Sequence, residues 1–481
     1  MNDSSRVSAM PPSRTQRELS ALGPEDRRSG TTASGLKLSE LRLLHCPYCE
    51  SPLDLIYNAD STKYSDAKDS VENGILNCSC AQYPVLGGIP ILQHTEGLGQ
   101  VVALIREGDC RGALLRVMNV FRVKWARQSR WHQIRYHLNC RYVTSRNDVS
   151  FARAVDLLRR PKIFSHYLYH RFANPSLLAA FAPLLLLDSV CSDQVNTAAL
   201  PSRTGGSSQR VLDLACGAGH ASFLIRWLYP EINLVSIDQD FVSLYLAKRY
   251  QAAGAVFVCA DTEVSSPFPN AHFAAFFCLD AFHYFHAKAA IIAELQRVVA
   301  PDGLWIFPHL HNAHQPNITA GMPLSPQAYL RLFADINPKL FPEGAILAAM
   351  SANRAFDWSN GESPDDLRGA PTLTLVGRGN RELRAQHDPL SVFCRRPRRL
   401  TINPIYSTTR DGDALRLTLD WPTESLRREC KSIEEYLPRH VMLHPNEITA
   451  IANGTLDLGA PRTRELVSRF VLVPLPEHYV N

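Results

Sequence analysis

No run of apolar residues in this 481-residue chain is long enough to cross a bilayer. The longest, LLAAFAPLLLL at 177–187, holds Pro183 inside it and reads as a buried helix near a domain junction. The opening stretch, MNDSSRVSAMPPSRTQRELSALGPEDRRSGTTASG, lacks the apolar centre of a secretory signal. Charge of one sign is not in large surplus either: 51 Lys and Arg against 46 Asp and Glu leave a formal +5, which by itself names no partner. These absences predict a cytoplasmic protein with no membrane insertion and no DNA partner, and any case for RNA has to be local. Nothing marks the 12 cysteines as a secreted disulfide framework, so they are read as free thiols or metal ligands. No internal repeat is visible.

A hydrophobic content of 45% is enough to fill real cores, and the length argues for two or three compact units. Residues 1–36 are polar, rich in Ser, Pro and Gly, and are expected to be a disordered tail. Residues 37–95 read as a small ribbon, 96–200 as a helical linker and cap, 201–380 as the main domain, and 381–481 as a C-terminal α+β extension. Within the main domain, RVLDLA, INLVSID, AVFVCAD, FAAFFCLD and LWIFPHL are apolar strand-like runs separated by helical patterns at 219–229, FVSLYLAKRYQAAG and AKAAIIAELQRVVAPDG. Continuous apolar strands alternating with amphipathic helices predict an α/β fold, a doubly wound parallel sheet covered on both faces. A helix near 325–336 and a strand at 372–378 follow.

The first strand runs into VLDLACGAGHAS, where Gly217 and Gly219 let backbone N–H groups approach a ligand at a helix start. Asp213 lies at the end of that strand, Asp238 ends the second and Asp261 the third. Asp238 is placed to accept two ribose hydroxyls. A dinucleotide site would want glycine where Ser222 stands, and Asp213 would repel phosphates but suits an ammonium group. The implied ligand carries an amine and an adenosine and no phosphate, a description that S-adenosylmethionine fits. Asp280, His283 and Tyr284 stand on the loop after the fourth strand, where a histidine is a candidate general base and a tyrosine a second catalytic candidate. His309, His311, Asn312 and His314 follow the fifth strand and are read as polar pocket lining rather than metal ligands. Asn403 in INPIY is read as an extended strand start.

In order and spacing, VLDLACGAGHAS, SIDQD, CADT, FCLDAFHYF and ELQRVVAPDGLWIF resemble the class I S-adenosylmethionine-dependent methyltransferases over roughly 205–310. The resemblance implies a Rossmann-like sheet with Asp213, Ala215, Gly217 and Gly219 around the methionine end, Asp238 on the ribose, Asp261 and Thr262 at the adenine, and Asp280 nearby. Ala215 replaces the family's first motif glycine. By the same resemblance, residues 163–176 fold a helix over the cofactor, with Tyr169 and Arg171 near its carboxylate.

Cys46 and Cys49 in CPYC, with Cys78 and Cys80 in CSC, offer four thiolates in two pairs for a structural Zn2+. The second pair is tight, so His45 or His94 is an alternative to Cys80. With its YPVLGGIPIL ending, this zinc ribbon resembles the small proteins that activate methyltransferases. The stretch 111–146 holds nine Arg and Lys and no acidic residue, with Trp125, Trp131, Tyr136 and Tyr142 among them. It is read either as an RNA-stacking surface or as an ordinary amphipathic helix. The favoured expectation is a methyltransferase acting on a small molecule such as a secondary metabolite. The alternatives are an RNA or translation-factor methyltransferase and a non-catalytic cofactor-binding scaffold.

Overall fold

A computed structural model of the chain describes residues 35–59, 69–122, 124–159, 168, 170–192, 209–317, 319, 321–379, 381–383, 385–395 and 400–479. Residues 1–34 of the expected tail, residues 193–208 and Tyr169 lie outside the described residues.

The strands that build the main sheet are β1 (Asp54–Asn58), β2 (Gly74–Asn77), β3 (Gln82–Leu86), β4 (Ile89–Leu92), β5 (Arg210–Leu214), β6 (Asn233–Asp238), β7 (Val256–Ala260), β8 (Phe273–Phe277), β9 (Val299–His311), β10 (Lys339–Pro342) and β11 (Thr372–Arg378). They form one 11-stranded sheet in the order β10-β11-β9-β8-β5-β6-β7-β4-β3-β2-β1. The centre, β5 to β9, is parallel, as the alternating pattern predicts. The sheet as a whole is mixed, however, because β11 runs antiparallel to β9 and β10 antiparallel to β11. An apolar run reads the same in either direction, so the sequence pattern carries no sign of this reversal.

The chain proceeds outward from β5 through β6 to β7, then returns to place β8 on the other side of β5. That reversal opens a crevice above the carboxyl ends of β5 and β8, the usual ligand site of an open α/β sheet. Three helices cover the parallel strands: α5 (His220–Leu228), α6 (Phe241–Tyr250) and α7 (Lys288–Val298), while α1 (Leu98–Arg106), α2 (Cys110–Val120), α3 (Arg130–Ser145) and α4 (Phe151–Leu158) precede β5. The α7 helix stops at Val298, short of the expected 303. β-branched Val299 pairs with Phe273, and Pro301 has no N–H to continue a helix.

The ribbon is not separate from this sheet. The β3–β4 hairpin turns at Gly87 and Gly88, both with positive φ, as a two-residue loop between twisted strands requires. β4 then pairs parallel with β7, Ile91 opposite Cys259 and Leu92 opposite Ala260, covering what would otherwise be an open sheet edge. Lys248 of α6 is buried and donates from Nζ to the Gly88 carbonyl at 3.1 Å. Leu36, Tyr83, Val85 and Leu92 share an apolar cluster with Val235 and Val258 of the central strands.

The greasy stretch 177–187 is buried as a short helix, Pro175–Ala179, and a 3-10 turn, Ala182–Leu186, which accommodates Pro183 near its start. At the C-terminal end, a three-stranded sheet (Tyr406–Asp411, Ala414–Leu419, His440–Leu443) and a pair of strands (Leu400–Ile402, Leu472–Pro474) form the predicted α+β region. Its last residues return to the main domain: Tyr479 is buried and donates to the Leu168 carbonyl at 2.8 Å.

Candidate active site

A cavity of about 820 Å³ lies over the crevice and is walled by Asp213, Ala215, Gly217, Asp238, Asp261, Thr262, Asp280 and Tyr284, with Arg171, His220 and Glu263. Gly219, which begins the helix behind this wall, is not itself on it.

The turn between β5 and α5 explains the small residues. Ala215, Gly217 and Gly219 all have positive φ, of 53°, 53° and 83°. Ala215 therefore occupies a left-handed conformation that costs an L-residue about 1–2 kcal/mol, so replacing glycine here is tolerated but not free. At Gly219 a Cβ would meet Ala247 Cβ at 2.6 Å, which ties the glycine to the close approach of α6. Gly217 N–H donates to Asp238 Oδ2 at 2.8 Å, so the turn and the end of β6 are locked together.

Burial raises the cost of charge on these carboxylates. Asp213 is only 1% exposed, and burial pushes its pKa up to about 7 despite the Ser222 hydroxyl, which donates to Oδ2 at 2.5 Å. Asp238 is pushed up to about 6 by burial, opposed by the Gly217 N–H and by Arg159. Two carboxyls that share a cavity and have no ion-pair contact among the described residues favour a cationic guest. Asp280 differs: burial would raise it, but Arg171 and two imidazoles hold it well below the ordinary carboxylate range.

Of the two catalytic candidates, Tyr284 reaches the cavity and is half-exposed. His283 does not line it. Its ring is buried, stacks on His311 at 4.0 Å, and finds no hydrogen-bond partner for either nitrogen among the described residues. Burial and His311 push its pKa down to about 4. Arg171, expected near the cofactor carboxylate, lines the cavity and pairs with Asp280 Oδ2 at 3.0 Å. His220, Gln239 and Glu263 also form the wall but were not singled out by the sequence pattern, although Glu263 lies just beyond Asp261 and Thr262.

The four cysteines come together. Cys46–Cys80, Cys49–Cys78 and Cys78–Cys80 sulfurs are 3.6, 3.8 and 3.5 Å apart. Four sulfurs at about 2.3 Å from one tetrahedral ion stand about 3.8 Å from one another, so the cluster fits Zn2+. His94 is not in the group: it bonds to the Tyr83 hydroxyl at 2.9 Å, which in turn contacts Cys46 Sγ at 3.1 Å. His45 is likewise outside the cluster.

In the basic stretch the side chain of Trp125 lies outside the described residues, and the other aromatics do not all face solvent. Tyr136 is fully buried, with its hydroxyl on the Met118 carbonyl, while Trp131 and Tyr142 face outward. Asn403 is a buried brace, donating to the carbonyls of Ala173 and Phe470 at 3.1 and 2.9 Å.

Residues 212–307, from the end of β5 through β9, match the family model described as a methyltransferase domain. Over these residues the chain is similar to that domain. The chain is 31% identical over 129 residues to the phthiotriol/phenolphthiotriol dimycocerosates methyltransferase of Mycobacterium leprae, covering 25% of this chain and 47% of that protein. It is 32% identical over 140 residues to the demethylmenaquinone methyltransferase of Deinococcus radiodurans, covering 27% and 57%. The chain thus spans about half the length of these curated relatives. Among solved structures, a chain of the Haloferax volcanii complex between the Trm112 methyltransferase activator and a methyltransferase aligns over 43% of this chain and 98% of its own, at 18% identity and a TM-score of 0.29.

Proposed function

We propose that the protein transfers the methyl group of S-adenosylmethionine to a small-molecule acceptor. The observation that carries this reading is the ring of carboxylates, Asp213, Asp238 and Asp261, around a left-handed small-residue turn at the switch point of the sheet. When bound, the cofactor supplies an electrophilic methyl on a sulfonium. Asp213 and Asp238, when ionised, supply negative charge to the cavity, which favours an amine- and sulfonium-bearing ligand over a phosphate. Arg171, Asp261 and Thr262 also line the cavity, in keeping with a ligand that has both a carboxylate and a hydrogen-bonding base. Much of methyl-transfer catalysis is positioning in line, and Tyr284, reaching into the cavity, is the side chain best placed to orient an acceptor.

The small-molecule assignment is supported by the cavity, which lies within the roughly 300–1,000 Å³ range of small-ligand sites. It is also supported by two relatives whose names specify a dimycocerosate lipid and a quinone precursor. The cysteine cluster is read as a structural zinc site that ties together the two cysteine loops of the ribbon. The test is to incubate the full chain with methyl-labelled cofactor and fractionated cell extract. Label is expected in low-molecular-weight material, and label confined to RNA or protein would contradict the assignment.

A further inference from the structure

Asp280, after β8, and His309 and His311, at the end of β9, converge behind the cavity wall, with one ligand atom of each within 4.8 Å of the others. We propose that these three side chains form a second metal site in the chain, a two-histidine, one-carboxylate site for a divalent first-row transition ion.

The spacing fits. His311 Nε2 and Asp280 Oδ1 are 3.2 Å apart. Two ligands at about 2.1 Å from one ion, at tetrahedral to octahedral angles, stand about 3.0–3.4 Å apart. Each imidazole also has the outer partner that a metal-binding histidine needs to fix its orientation. His309 Nδ1 bonds to Glu343 Oε2 at 2.7 Å, which leaves Nε2 for an ion. Glu343 is itself buried and held by the His309 N–H at 2.6 Å and the Thr374 hydroxyl at 3.2 Å. His311 Nδ1 contacts Asn317 and, at 3.1 Å, the Thr319 hydroxyl, which accepts when Nδ1 carries the proton. The His283 ring, stacked on His311 at 4.0 Å, limits rotation of that imidazole.

Backbone strain points the same way. Asp280 and His309 both adopt left-handed conformations, with φ of 50° and 58°, although neither is glycine. Such strain concentrates where a side chain must be aimed. Arg171 takes Asp280 Oδ2 and leaves Oδ1 turned to the imidazoles. The competing arrangement is the same network held by hydrogen bonds alone.

Asp280 also forms part of the cavity wall, so the ion would sit beside the methyl-transfer site. On the methyltransferase reading, this favours an acceptor with an ionisable hydroxyl. An adjacent cation lowers the hydroxyl pKa, the proton leaves to water, the oxygen bonds to the methyl carbon, and the electron pair of the broken S–C bond stays on sulfur. That would supply the activation His283, away from the cavity, does not.

The test uses the full chain, stripped with a chelator and titrated with Co2+, with bound metal counted by mass spectrometry. The wild type is expected to show the thiolate-to-cobalt charge-transfer band and a second, weaker set of visible bands. His309→Asn/His311→Gln should lose the second set and one equivalent of metal while keeping the first; Asn is chosen at 309 because it tolerates the left-handed backbone. If that variant, with unchanged circular dichroism, binds as much metal as wild type, the site does not exist. Should it fail to fold, Asp280→Asn replaces it, with at least tenfold weaker binding of the second equivalent expected and unchanged affinity overturning the proposal. Calorimetry with S-adenosylmethionine on the same wild-type sample separates the two readings. Cofactor uptake without a second ion removes only the metal site, and a second ion without cofactor uptake removes only the methyltransferase reading.

Discussion

Asp213 and Asp238 are carboxyls whose burial makes them reluctant to ionise. Their raised pKa values, about 7 and about 6 against an ordinary 3.8, mean that the unliganded fold binds protons that the unfolded chain does not. By linkage the unliganded protein loses stability as pH climbs from about 4 towards 7. A cationic cofactor pairs with the ionised forms, so its affinity should rise over the same window, and titration calorimetry between pH 5.5 and 8 checks the slope. Removing the Ser222 hydroxyl takes away a donor that favours the charged form, so Ser222→Ala should move this rise to higher pH. At the turn, Gly219→Ala should cost at least about 2 kcal/mol in denaturant unfolding, from left-handed strain plus the clash with Ala247. Ala215→Gly should leave stability within about 1 kcal/mol, since relief of strain offsets the entropy of glycine in the unfolded chain.

Between elements, the decisive contact is the parallel pairing of β4 with β7, which leads directly to Asp261. The cysteine pairs and the apolar runs ending in aspartate were legible because each is written in a few adjacent residues. The pairing of β4 with β7 was not, because the partners lie more than 160 residues apart and an edge strand does not advertise its neighbour. The same limit hid Glu343, which meets His309 only through the return of a later helix, and the buried position of His283, since a three-residue turn has no periodicity to reveal its face. Because ribbon and sheet share a core, the proposed zinc site is expected to support the whole domain. Chelation, or Cys46→Ser with Cys78→Ser, is expected to lower the thermal midpoint by about 5–10 °C in calorimetry. An unchanged midpoint would mean that the thiols hold no structural ion.

At the scale of the molecule, the C-terminal extension closes on the main domain. The Tyr479 hydroxyl lies 3.1 Å from His220 Nε2, and His220 both opens α5 and lines the cavity. The backbone N–H groups of Phe151 and Ala152 donate to the carbonyls of His478 and Tyr479 at 2.7 and 2.9 Å, so the tail also fixes α4. Ending the chain at Pro476 should weaken cofactor binding about fivefold, the equivalent of ~1 kcal/mol, and lower the thermal midpoint. The account as a whole stands on one binding event, and calorimetric titration of the full wild-type chain and Asp238→Ala with S-adenosylmethionine tests it most directly. Saturable binding to the wild type, at least tenfold weaker in a folded Asp238→Ala, is the predicted result. No heat of binding to folded wild type, or equal affinity in the two proteins, would contradict it.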